Sequence, residues 1–100
     1  MLNPTAPVLD DLLLRNGDRW VALSAREAGI ILPLVNNFGR LVTLEEIGAA
    51  AWEDGVPKAF RSRLRQLRRR VAEVGLLIST VRGRGFILEF DDDDAEGLHS

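Results

Sequence analysis

The chain has 100 residues, with no cysteine, no tyrosine and a single histidine. Without cysteine there is no disulfide framework, no thiolate nucleophile and no sulfur ligand for zinc. His99 is next to last in the chain and cannot build a metal site alone. No group of acids lies in an apolar setting, so the inventory is too poor for an enzyme, and neither cofactor nor metal is expected. No apolar run approaches the roughly 18 residues of a membrane span, and Met1 to Pro7 lacks the charged and apolar regions of a signal peptide. These absences point to a cytoplasmic binding protein of one domain, large enough for a core without staples.

Net charge is also small, at −2, a balance that taken alone argues against a polyanionic partner. Its distribution reverses that reading. Residues 1–57 hold four basic and eight acidic side chains, residues 58–84 nine basic and one acidic, and residues 85–100 six acids and no base. Screening confines field effects to about 8 Å at physiological ionic strength, so a ligand on the middle block feels that block rather than the total.

The middle block begins with a helix. At 100° per residue Phe60, Leu64, Leu67, Val71 and Val74 fall in one stripe that must pack on a core. Lys58, Arg65 and Arg69 point the opposite way with Ser62 and Gln66 between them, while Arg61 and Arg68 flank one side and Arg63 and Arg70 the other. Ordinary exposed faces mix signs and gain i,i+4 pairs, whereas an unpaired cationic face repels itself unless an anion is expected. A rigid ridge of donors on a helix is what a major groove admits.

Upstream, Leu12–Arg15 and Trp20–Leu23 flank Asn16-Gly17-Asp18-Arg19, a hairpin signal, and Val8-Leu9 can add an edge strand. Ser24-Ala25-Arg26-Glu27 reads as a capping box opening a first helix to about Asn37, with Ala28, Ile31, Leu32 and Val35 inward and a kink or interruption at Pro33. Leu41-Val42 forms a short strand, and Thr43 to Glu46 is a second capping box whose helix runs to about Trp52. Capping explains Glu45 and Glu46 better than acid–base chemistry does. Pro57 suits the first turn of helix three, giving helix, tight turn, helix. Gly75 ends helix three. Leu77–Val81 and Phe86–Phe90, joined by Arg82-Gly83-Arg84-Gly85, form a C-terminal hairpin. The expected fold is α+β: three helices with a small N-terminal sheet and a hairpin wing over residues 1–90, then a disordered acidic tail over 91–100. That tail serves solubility, or mimics phosphate within the molecule.

Over about residues 12–90 the sequence resembles the OmpR/PhoB-type winged helix-turn-helix domain of bacterial response regulators. The resemblance rests on Leu23-Ser24-Ala25-Arg26-Glu27, Gly39 to Ile47, Trp52, Arg63 to Arg69, and Thr80 to Phe86, in that order. It implies a third helix in the major groove, a wing arginine in the adjacent minor groove, and phosphate contacts from the wing and from the start of helix two, at Thr43. Within that frame Arg61, Ser62, Arg65 and Gln66, near the half of the helix that enters the groove, are the expected base readers. Lys58, Arg63, Arg68, Arg69 and Thr80 are expected on phosphates, and Arg82 with its neighbour Arg84 in the minor groove. Trp52 is a core residue whose indole N–H could also reach a phosphate.

The expected function is sequence-specific binding of double-stranded DNA in transcriptional regulation, by a monomer in solution or a tandem dimer on DNA. The rival is a protein-interaction module that binds RNA polymerase or another acidic partner and touches DNA weakly. The Met1 start and acidic end favour a stand-alone regulator over an excised fragment.

Overall fold

The computed structural model describes residues 6–51 and 60–91, with residues 49–51 described by their backbone alone. Trp52, Pro57, Lys58 and the acids after Asp91 lie outside the described residues.

The chain opens with an antiparallel meander of β1 (Val8–Asp10), β2 (Leu13–Asn16) and β3 (Arg19–Ala22). Leu14 and Val21 face inward as a cross-strand pair. The β2–β3 ladder closes further than the sequence suggested. Asn16 pairs with Arg19, leaving a two-residue loop of Gly17 and Asp18. Gly17 holds φ at 66°, the positive value that a tight loop needs at its first position.

Helix α1 (Ala25–Asn36) starts at the capping box read from sequence: Ser24 Oγ accepts the Glu27 N–H at 3.1 Å, and Glu27 Oε1 accepts the Ser24 N–H at 2.8 Å. Two expectations for this helix need correction. The helix runs through Pro33 without interruption, and Pro33's own carbonyl accepts both the N–H and the side-chain amide of Asn37. One missing bond near the end of a helix is offset by the burial of Ile30, Ile31 and Leu34, all at 0% exposure. Leu32, expected inward, is 44% exposed. The inward stripe is Glu27, Ile30, Ile31 and Leu34, an i, i+3, i+4, i+7 set that carries a carboxylate at its first place.

After Gly39, whose N–H donates to the Leu88 carbonyl, a two-residue strand β4 (Val42–Thr43) leads into α2 (Leu44–Ala51). The second capping box is present as well, Thr43 Oγ1 accepting from the Glu46 N–H and the Glu46 carboxylate from the Thr43 N–H. Helix α3 (Phe60–Ala72) buries Phe60, Leu64, Leu67 and Val71, the stripe expected of it. A turn through Gly75, φ 76°, then starts β5 (Leu76–Val81), which returns as β6 (Gly85–Phe90). The second sheet has the order β4-β6-β5, all antiparallel. Its inner face brings Val42, Phe86, Ile78 and Leu88 onto the helices, and the Phe60 and Phe86 rings meet at a centroid distance of 6.0 Å. No helix among the described residues is long and apolar enough to cross a membrane.

Candidate nucleic-acid interface

With its apolar stripe buried, α3 presents six arginines and no acid. Ser62, Arg65, Gln66 and Arg69 are exposed and, being three or four residues apart, form one continuous strip on the side away from the core. Arg61 and Arg68 are exposed on one flank. The arginines offer donors in fixed forks that match paired acceptors on base edges or phosphates, Gln66 adds an amide and Ser62 a single hydroxyl.

The two flanks of α3 meet different neighbours. On one, Arg68 donates to Thr80 Oγ1 of β5 at 2.5 Å. Thr80 pairs with Phe86, whose side chain is on the inner face, so its hydroxyl points toward α3 and can be reached from it. The hydroxyl accepts from Arg68 and keeps its own hydrogen to donate. On the other flank Arg70 reaches toward α1, and its Nε–H donates to Glu27 Oε2 at 2.9 Å while the rest of the side chain stays exposed. Arg63, half-buried, shares that flank by helical phase.

The wing places Arg82 and Arg84 at the tip of the β5–β6 hairpin, both exposed and separated by Gly83 at φ 76°. Val81 pairs with Gly85, so the loop holds three residues, and the Arg84 N–H closes it on the Val81 carbonyl. Thr43 pairs with Gly85 from the opposite edge, which sets the start of α2 beside the base of the wing. A side chain at Gly85 has no room: its Cβ would lie 2.0 Å from the Val42 carbonyl oxygen. The Arg68–Thr80 hydrogen bond therefore joins a flank of α3 to the strand that leads into the wing, and the Thr43–Gly85 pairing brings the start of α2 to the wing's base. Lys58 lies outside the described residues.

Two residues that sequence reading left as turn chemistry prove to reach across the fold. Asn16 Nδ2 donates to the Val74 carbonyl at 2.6 Å, and Arg19 donates to the Glu73 carbonyl. The partners are more than fifty residues away along the chain, and no local pattern signals them. Asp91 donates its N–H to the Gly75 carbonyl, at the end of the hairpin opposite the wing tip.

A model of the family described as transcriptional regulatory protein, C terminal, matches residues 17–88. Among solved structures, the C-terminal domain of NsrR, a lantibiotic response regulator for nisin resistance, is similar over 88% of this chain and 95% of its own, with a TM-score of 0.69 and 27% identity. The DNA-binding domain of the response regulator AdeR, solved with an intercistronic region, matches over 86% of this chain and 95% of its own, at a TM-score of 0.68 and 20% identity. The RstA DNA-binding domain of Klebsiella pneumoniae, solved with the RstA box, matches over 88% and 95%, at 0.63 and 18% identity. No curated protein matches the chain.

Proposed function

Because the chain belongs to the transcriptional regulatory protein C-terminal family, the OmpR/PhoB-type DNA-binding domains, we propose that it binds double-stranded DNA sequence-specifically and regulates transcription by contact, without chemistry of its own. The observation that carries this reading is the exposed cationic strip of α3, which has no acid and is tied through Arg68 and Thr80 to the strand leading into the wing. The likeness to the NsrR domain supports it, and AdeR and RstA, solved with an intercistronic region and the RstA box, have the same fold.

In this reading the first half of α3 enters the major groove. Arg61, Ser62, Arg65 and Gln66 read base edges, an arginine fork suiting the O6 and N7 acceptors of guanine and a glutamine amide the N6 and N7 pair of adenine. Thr43, Lys58, Arg63, Arg68, Arg69 and Thr80 hold phosphates and so fix register without reading sequence. Arg82 and Arg84 follow the adjacent minor groove, where narrowing deepens the negative potential. Selection of bound sites from random duplexes, followed by a salt series on the winner, tests the proposal. Recovery of no common site would overturn sequence-specific reading.

A further inference from the structure

The turn-flanking pair of the N-terminal hairpin, Asn16 and Arg19, faces the far end of α3. The two residues sit opposite each other in the β2–β3 ladder, so their side chains leave the same face of the sheet, the face that buries Leu14 and Val21. From there Asn16 donates to the Val74 carbonyl and Arg19 to the Glu73 carbonyl. These are carbonyls just past the C-terminus of α3, where the helix leaves acceptors without internal partners and the macrodipole carries its negative end. An amide and a guanidinium are the donors that such a terminus calls for, and the guanidinium adds the matching charge. Glu27 grips Arg70 from α1, one turn earlier.

These three tethers from the N-terminal half hold the chain at one end of the helix, from Arg70 to Val74. The proposed base readers, Arg61 to Gln66, lie six to eleven residues before Ala72, the last residue of the same helix. At about 1.5 Å rise per residue that is roughly 9 to 17 Å. A small tilt or rotation at the held end is carried along the rod to the reading end, where bidentate contacts tolerate little misplacement. Phosphate contacts by long, mobile arginines tolerate it better.

We infer that Asn16 and Arg19 are positioning residues for DNA recognition: by holding the carbonyls just past the C-terminus of α3 they set the helix in the orientation that discriminates sequence. The inference rests on the proposed base reading by α3. Its signature is a loss of discrimination larger than the loss of general affinity.

The test uses the full chain, a selected duplex and a random duplex, both measured at one salt concentration and over a salt series. Asn16→Asp keeps an aspartate–glycine turn that suits the hairpin, but it faces the Val74 carbonyl with an acceptor. Arg19→Gln removes the charge at an exposed position, and Arg19→Lys restores it. The expected result is that Asn16→Asp and Arg19→Gln each lower the ratio of specific to random affinity on the order of tenfold, the scale of one misaligned bidentate contact. Random-duplex affinity and the salt slope stay within about twofold of the parent, and Arg19→Lys recovers most of the ratio. A melting temperature for each variant accompanies the binding. Lowered melting temperatures with an unchanged ratio would make the pair merely structural and overturn the inference. If Asn16→Asp does not fold, the Arg19 pair decides alone. A parent chain without preference between the duplexes would instead remove the base-reading premise itself.

Discussion

The carboxylate of Glu27, 2% exposed, is shared between two elements: Oε1 takes the Ser24 backbone N–H at 2.8 Å and Oε2 the Arg70 Nε–H at 2.9 Å. One side chain thus caps α1 and ties it to α3. A buried carboxylate in this position is tolerable because both oxygens have donors. Arg70 is the costlier side to remove, since truncation leaves the buried charge with only a backbone N–H, whereas an arginine side chain 44% exposed can turn to water. Arg70→Ala is expected to destabilise by about 2 to 4 kcal/mol. Glu27→Gln, which retains an acceptor for Ser24, should cost about 1 to 2 kcal/mol. Urea denaturation midpoints check the order, and a larger loss in Glu27→Gln would overturn the assignment of Arg70 as the costlier side to remove.

If about five phosphates are neutralised, the logarithm of affinity should fall with the logarithm of salt at a slope near −4 to −5, each phosphate contributing about −0.9. The net charge of −2 gives no hint of such a slope, which arises from the local excess of arginine on α3 and the wing. Fluorescence anisotropy on the selected duplex across a salt series measures it. Tight binding indifferent to salt would contradict the assignment of α3 to the interface.

Arg65 and Arg69 share the exposed strip one turn apart, yet different roles are expected of them. Arg65→Ala should cost about 1 to 3 kcal/mol on the selected site and relax preference at one or two base pairs, while Arg69→Ala should weaken all duplexes alike and flatten the salt slope by about one. The same loss pattern for both variants on selected and random duplexes would erase the distinction between reading and holding. Neither substitution touches the core, so thermal unfolding should hardly change.

Much of this interface could be read from the sequence because its determinants are local. The two capping boxes, the glycines at the turns and the period of Phe60, Leu64, Leu67 and Val71 each act within a few residues, and each is found in place. The phase of α1 was harder. From Gly29 to Val35 every residue is apolar or proline, so the pattern does not choose a face, and the polar Glu27 conceals that the buried stripe begins with it. Nor does composition reveal which of six α3 arginines will leave the cationic face. Arg70 does so because α1 delivers a buried carboxylate from forty-three residues away. Asn16 and Arg19 were legible as turn flanks and illegible as helix clamps for the same reason.

The two glycines bracketing Arg84 separate conformation from space. Gly83 has φ 76° with nothing within 4 Å of a Cβ built on it, so Gly83→Ala meets only the backbone strain of a left-handed residue, about 1 kcal/mol. Gly85 is confined instead by the chain crossing it. An added Cβ would sit 2.0 Å from the Val42 oxygen and 2.8 Å from the Thr43 Cα, both backbone atoms that cannot swing aside. Gly85→Ala must therefore push β4 off β6, breaking the Thr43 pairing that sets the start of α2 beside the wing. Expected is a loss of at least about 3 kcal/mol in stability, beyond the range of ordinary surface changes. Amide exchange across the β4–β6 pairing should rise in Gly85→Ala and stay at the parent level in Gly83→Ala. Equal destabilisation of the two variants would mean that β4 yields readily and that the close approach at Gly85 does not fix the wing against α2.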